Sequence, residues 1–183
     1  MRIHPTRLTA SARLAAVSGW LLALAGWRCA GQPPAGSCVA IGAPHTSNWD
    51  FCLMLALALH HRLRLVWLGK HTLFCGPLGW LMMWLGGVAV DRTRTNGLVE
   101  TAVEAFRAHE QLILVIAPEG TRRRGVRWKT GFWHIADAAG VPVVLGYIDW
   151  RNKVVGLGPA MRTSGDLDAD LMAIRAFYQP YER

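Results

Sequence analysis

The stretch Gln111-Leu112-Ile113-Leu114-Val115-Ile116-Ala117, followed at once by Pro118-Glu119-Gly120-Thr121-Arg122, decides the fold. After Gln111 it carries no polar residue and no alternation, so it predicts a strand buried on both faces, the condition of a parallel sheet covered by helices. Just upstream, residues 96–109 have helical periodicity: Leu98, Val99, Ala102, Val103 and Phe106 share one side, while Glu100, Glu104 and Arg107 share the other. Downstream, a helix is expected near residues 131–139, a strand at 141–148, a weaker strand at 153–157 and a closing helix at 168–178. Towards the N-terminus, short strands are expected at 38–42, 63–68 and 88–90. Between the first two, residues 48–60 read as a buried helix with Ser47 as N-cap. Residues 73–87, interrupted by Gly76-Pro77, read as two short helices lying on a membrane or on a core. Strands alternate with helices, so the class is α/β: a mainly parallel central sheet with flanking helices.

Composition narrows the setting. Hydrophobic residues make up 52% and charged residues 17%, against about 25% charged in a typical soluble domain. Nine tryptophans favour a water–hydrocarbon boundary, where an apolar body and one N–H donor are both satisfied. Trp20, Trp27, Trp80 and Trp84, inside apolar runs, are expected at such an interface, and Trp49 and Trp133 in the core. The net charge of +8 fits nucleic acid, anionic head groups or a phosphorylated substrate. The cations are mostly Arg beside apolar segments, which favours lipid over nucleic acid. Four cysteines show no C-x-x-C pair and no zinc spacing, so no metal site is expected. Cys38 and Cys52 are expected inside a strand and a helix as small hydrophobes, in a reduced, cytoplasmic-face setting.

At the N-terminus Arg2, Arg7 and Arg13 precede an uncharged run over residues 14–27. As a helix this run reaches roughly 21 Å, short of a ~30 Å hydrocarbon core. A helix lying in the interface is the expectation, with a cleaved signal peptide (Ala23-Leu24-Ala25 as its site) and an ordinary buried helix as alternatives. Residues 31–36, with two prolines and two glycines, read as a linker. The division expected is a membrane-associating helix over 1–30 and a catalytic domain over 31–183.

Three loops that follow apolar strands carry the chemistry, and strand ends on one edge of an open α/β sheet converge. In Pro44-His45-Thr46-Ser47-Asn48-Trp49-Asp50, a histidine titrating near neutrality precedes an aspartate in the first turn of a helix. Histidine can remove a hydroxyl proton and return it to a leaving group, and a carboxylate fixes its tautomer and stabilises the imidazolium. An H-x4-D pair arises by chance about 0.3 times in a chain of this composition, and Asp50 also reads as an ordinary helix N-terminal charge. The second loop runs from Pro118-Glu119-Gly120-Thr121-Arg122 through Arg123, Arg124, Arg127 and Lys129. Its glycine can turn an N–H towards an anion, and its guanidinium groups can fork a phosphate; a solvated basic loop is the plainer account. In the third, Gly87-Val88-Ala89-Val90-Asp91-Arg92, Arg92 leaves the end of a strand, as a second phosphate fork or as an ion-pair partner of Asp91 or Glu119.

Together these segments resemble the lysophosphatidic acid acyltransferase (PlsC-type glycerolipid acyltransferase) family. His45 to Asp50 resembles its H-x4-D block, with Ser47 at the internal serine, and Gly87 to Arg92 is similar to the second block. Pro118-Glu119-Gly120-Thr121-Arg122 matches the P-E-G-T-R block in full, with Lys129 and Gly131 where K-x-G often follows, and Val141-Pro142-Val143-Val144 resembles the fourth. Pro44 stands where many members have Asn, and Leu145 where the fourth block often ends in Pro. The resemblance implies an acyltransferase using acyl-CoA or acyl-carrier protein as donor substrate, without a cofactor, and a lysophospholipid or related lysolipid as acceptor. It implies His45 as base, Asp50 as its partner, and acceptor contacts from Arg92, Glu119, Gly120, Thr121, Arg122 and Lys129. The rival from another class is a membrane- or lipid-binding protein without turnover on the same fold. A serine or cysteine hydrolase is disfavoured, because no G-x-S-x-G elbow occurs.

Overall fold

The structure, a computed structural model, describes residue 3 and residues 11–44, 47–90, 97–120 and 128–181. Seven strands form one sheet: β1 (Arg28–Ala30), β2 (Cys38–Ala43), β3 (Leu65–Lys70), β4 (Gly87–Val90), β5 (Ile113–Ile116), β6 (Val143–Asp149) and β7 (Val154–Met161). Their order across the sheet is β1-β7-β6-β2-β5-β3-β4. All neighbours run parallel except β6 and β7. Six helices connect them: α1 (Ala12–Leu24), α2 (Asn48–His60), α3 (Gly76–Trp84), α4 (Leu98–Ala108), α5 (Gly131–Ala139) and α6 (Leu167–Tyr178), with a 3-10 turn at His71–Phe74 before α3.

The period of two in the central strands sorts the core into two layers. Val39, Ile41 and Ala43 of β2 and Leu114 of β5 face α4, α5 and α6, packing with Ala102, Phe132 and Tyr178. Cys38 and Ala40 of β2 and Ile113 of β5 face the other way, towards α2, the 3-10 turn and α3, where Phe51, Phe74 and Met82 surround Trp67. Burial pushes the Cys38 thiol up to about 12, so it stays protonated and acts as a small hydrophobe. On this second face α1 lies against α2 through Leu22, Leu53 and Leu57. Ser18 Oγ donates to Ala56 O at 2.8 Å, and Gly19 sits so close to His60 that a Cβ there would stand 2.9 Å from its Nδ1.

Helix α2 ends with Leu63 N–H donating to Ala58 O at 2.8 Å, and Arg62 takes a left-handed φ of 57°. That closure is usually made by glycine, and it delays the third strand to Leu65, two residues beyond its expected start. Sequence patterning missed β1, which pairs with β7 at Arg28↔Val154 and falls within residues 1–30. It also missed the reversal at β6–β7. There Asp149 Oδ1 accepts N–H groups of Arg151 and Asn152, both at 3.0 Å, and this side-chain turn sends β7 back antiparallel.

Three side-chain expectations are corrected. Trp49, expected in the core, is 68% exposed, because the buried side of the first turn of α2 belongs to Asp50. Trp27, expected at an interface, is half-buried edge-to-face against Trp150, ring centroids 5.0 Å apart. Cys52 is exposed rather than inside the layer.

Tyr178 ties α6 to the sheet. Its Oη lies 2.9 Å from Gly146 O and 3.2 Å from Ile41 O, so one proton is shared between carbonyls of β6 and β2. Burial raises its pKa far above the usual phenol range, and the hydroxyl remains a donor at every working pH. Tyr178→Phe keeps the ring but removes that donor. We expect a loss of about 1–2 kcal/mol, read as a thermal midpoint lower by about 2–4 °C per kcal/mol.

Candidate active site

The first candidate loop leaves β2, the middle strand of the sheet. Beyond Pro44, Ser47 caps α2: its Oγ accepts from Trp49 N–H at 2.9 Å, and its own N–H donates to Asp50 Oδ2 at 2.6 Å. This is a capping box with Asp in place of the usual Glu or Gln at the third helical position. Asp50 is 4% exposed, the one charged side chain buried among the described residues. Burying a carboxylate is costly unless partners compensate. Here the helix N-terminus and a short charge-assisted hydrogen bond do so, and the box holds the carboxylate in one orientation. His45 and Thr46 lie outside the described residues.

The second loop leaves β5, the direct neighbour of β2. Ile41 and Ile116 are register partners, so Pro44 and Glu119, each three residues further on, leave the sheet at one height on strands ~4.8 Å apart. Pro118 is buried, and Gly120 N–H donates to Ala117 O at 3.1 Å with Gly120 at φ 62°. That left-handed backbone suits glycine at the turn. The loop is closed at its far end, where Lys129 N–H donates to Pro118 O at 2.8 Å.

Under this closure lies an aromatic layer that pattern reading did not single out. Trp128 meets Tyr178 edge-to-face at 5.5 Å, and Arg175 stands 6.0 Å over the Trp128 ring. The Glu119 charge also reaches Tyr178, adding to the upward push on its hydroxyl after burial. Only long-range packing joins residues 119, 128 and 178, so the one sequence signal was the aromatic content of the closing helix.

Of the expected site residues, Asp50, Glu119 and Gly120 are thus gathered at the carboxyl edge of β2 and β5. Lys129 is exposed at the end of the loop. Arg92, Thr121 and Arg122 lie outside the described residues. The last described residue before Arg92 is Val90 at the end of β4, and β3 lies between β4 and β5. The fourth block sits elsewhere: Val143 pairs with Val39 and, with Val144, is core at the start of β6. A cavity of about 770 Å3 opens at the opposite edge, lined by His61, Arg62, Arg64 and His109. Two helix C-termini converge there, and their dipoles account for those basic residues.

The family model described as Acyltransferase matches residues 32–147, from the segment before β2 to the middle of β6. The 1-acyl-sn-glycerol-3-phosphate acyltransferase of Escherichia coli is 33% identical over 122 residues, 63% of this chain and 48% of that protein. The enzyme of the same name from Haemophilus influenzae is 31% identical over 106 residues, 55% of this chain and 43% of that protein. The chain therefore spans about half the length of these curated relatives. The crystal structure of the 1-acyl-sn-glycerophosphate acyltransferase PlsC from Thermotoga maritima superposes with a TM-score of 0.60, covering 93% of this chain and 80% of that one. At 16% identity this likeness speaks for the fold. The matched stretch takes in β2 with its capped helix and β5 with its closed loop, and on that match this chain belongs to the acyltransferase family.

Proposed function

We propose that this chain moves a fatty acyl group from acyl-CoA or acyl-carrier protein onto the free hydroxyl of a lysophospholipid of the 1-acylglycerol-3-phosphate type, at the cytoplasmic face of a membrane. His45 removes the proton of the attacking hydroxyl as its oxygen adds to the thioester carbonyl, and returns it to the departing thiolate. Asp50 holds the imidazole in its working tautomer and stabilises its charged form. Arg92 and Arg122, with Thr121 and Lys129, receive the anionic head group of the acceptor, while Glu119 and Gly120 shape the turn that carries them, the Gly120 N–H being held by Ala117 O. No cofactor enters these steps. Helix α1 serves as a membrane-associating element; among the described residues no helix is long and apolar enough to cross a bilayer.

The observation that carries this reading is the buried, oriented Asp50 carboxylate at the end of β2, beside the loop from β5. A charge kept in the core beside an anion-type loop is the expected companion of a base that becomes cationic during turnover. Labelled acyl-CoA and acyl-carrier protein, each offered with a panel of lysolipids and their products resolved, test it. Acylated product from a lysophosphatidate-type acceptor is expected. Lipid binding without product from any pair would leave a lipid-binding protein instead.

If Arg122 holds the acceptor's phosphate, Arg122→Ala raises the KM for acceptor far more than for donor. Removing one charge-assisted hydrogen bond to phosphate costs about 1.5–3 kcal/mol, or roughly 10- to 150-fold. An equal rise for both substrates would mean general disturbance of the loop, and a donor-only rise would assign the loop to the phosphates of CoA.

A further inference from the structure

Twelve of the thirteen exposed large hydrophobic side chains among the described residues lie on one face of the sheet, on α1, the first turn of α2, the 3-10 turn and α3; Met172 on α6 is the exception. Helix α3 is the extreme case. Its nine residues include no charged side chain, Gly79 is its one buried residue, and Leu78, Trp80 and Met83 are 56%, 68% and 56% exposed. Gly79 is pressed against the backbone of Phe74, closer than any side chain would allow, so the helix is seated firmly with its apolar surface outward. Exposed apolar area of this extent costs about 25 cal/mol per Å2 in water and marks an interaction surface.

Charge identifies the occupant. Residues 1–90, which hold β1 to β4 and all of this helical layer, carry seven Lys or Arg and a single acid, Asp50, while residues 91–183 carry thirteen and eleven. Asp50 is buried. The layer thus has no exposed carboxylate among its described residues, with Arg13, Arg28 and Lys70 exposed on it or at its margin. Two copies meeting through this face would oppose like charges, whereas anionic lipid neutralises them at about 1 kcal/mol per Lys or Arg. Exposed Trp20, Trp49 and Trp80 suit the depth of the head groups.

We infer that α3 and the first turn of α2 form, with α1, one bilayer-docking face, and that α3 is a foot in its own right rather than a passive neighbour of an N-terminal anchor. The face reaches the catalytic edge: Trp49 adjoins Asp50, and the 3-10 turn that leads into α3 leaves the end of β3 on that same edge. An acceptor seated in the leaflet therefore meets the site without leaving the lipid. This deepens the acyl-transfer reading and rests on it only for that last step.

The test is flotation of the full chain with vesicles of phosphatidylcholine and phosphatidylglycerol, beside turnover on a water-soluble short-chain lysolipid. Trp80→Ser with Met83→Ser is expected to lower vesicle binding about tenfold or more, with unchanged turnover of the soluble substrate and an unchanged thermal midpoint. Trp20→Ser with Leu24→Ser on α1 should give a separate, additive loss. Should the α3 pair destabilise the chain, Met83→Ser by itself gives the same reading with a smaller loss. Wild-type flotation of a folded α3 variant would overturn the inference, as would equal binding to vesicles of phosphatidylcholine only. A lipid-independent dimer split by the α3 substitutions would assign the face to a second copy and overturn it too. Flotation that depends on α3 in a chain that acylates nothing would support docking while sinking acyl transfer.

Discussion

His45→Ala is expected to lower kcat for acyl transfer by about 10²–10⁴-fold, the range supplied by a positioned general base, while vesicle binding and the thermal midpoint stay near wild type. A hydroxyl oxygen attacks a thioester carbonyl poorly until its proton has somewhere to go, and alanine offers no acceptor. The large effect should fall on kcat rather than on the KM of either substrate, because the imidazole acts in the transition state. Steady-state kinetics on purified variant and parent, with flotation and melting on the same preparations, check this. Near-parental turnover would remove His45 from the mechanism and leave Asp50 as a capping residue only.

Asp50→Asn separates the capping role seen in the structure from the proposed partnership with His45. As a cap, the side chain accepts the Ser47 N–H at 2.6 Å, and an asparagine oxygen can take that hydrogen bond. The helix-terminus charge that asparagine gives up is worth about 0.3–1 kcal/mol, a midpoint drop of about 1–4 °C in a chain of this size. As the partner of His45, the carboxylate supplies a charge that asparagine lacks, and the amide can stabilise the wrong tautomer. In the serine-protease triad that change costs about 10⁴ in kcat. A thiolate leaves more readily than an amine and needs less help from the acid, so a loss on the order of 10²–10³ is expected here. In free energy this is about 2.7–4 kcal/mol of barrier, several times the capping contribution. Activity within about threefold of the parent, together with the small midpoint drop, would leave capping as the whole role of Asp50.

The α/β class was legible in the chain because short fully apolar runs such as residues 112–117, alternating with segments of helical period, fit strands covered on both faces. The helix at 48–60 was legible to the residue, with Ser47 marking its start, and the one near 131–139 was legible closely; the structure shows Gly140 closing the latter. The order and spacing of the H-x4-D and P-E-G-T-R blocks were local facts too, and with them the choice of Asp50 and of the loop after β5. Tertiary structure decided the rest. β1 has three residues and no pattern of its own; its strand state comes from pairing with β7. The direction of β7 was set by the side-chain turn at Asp149, which hydropathy does not register. Trp49 and Asp50 are adjacent in sequence, and one helical step turns neighbours by about 100°. Composition assigns the indole to the core and the carboxylate to water, yet the capping box holds the carboxylate inside and leaves the indole exposed. Likewise the shortage of acids in the first ninety residues is written in the sequence. That it belongs to one face became visible only once α1, α2 and α3 were seen to share a side of the sheet, because which side a crossover helix takes is settled by sheet order and not by the helix itself.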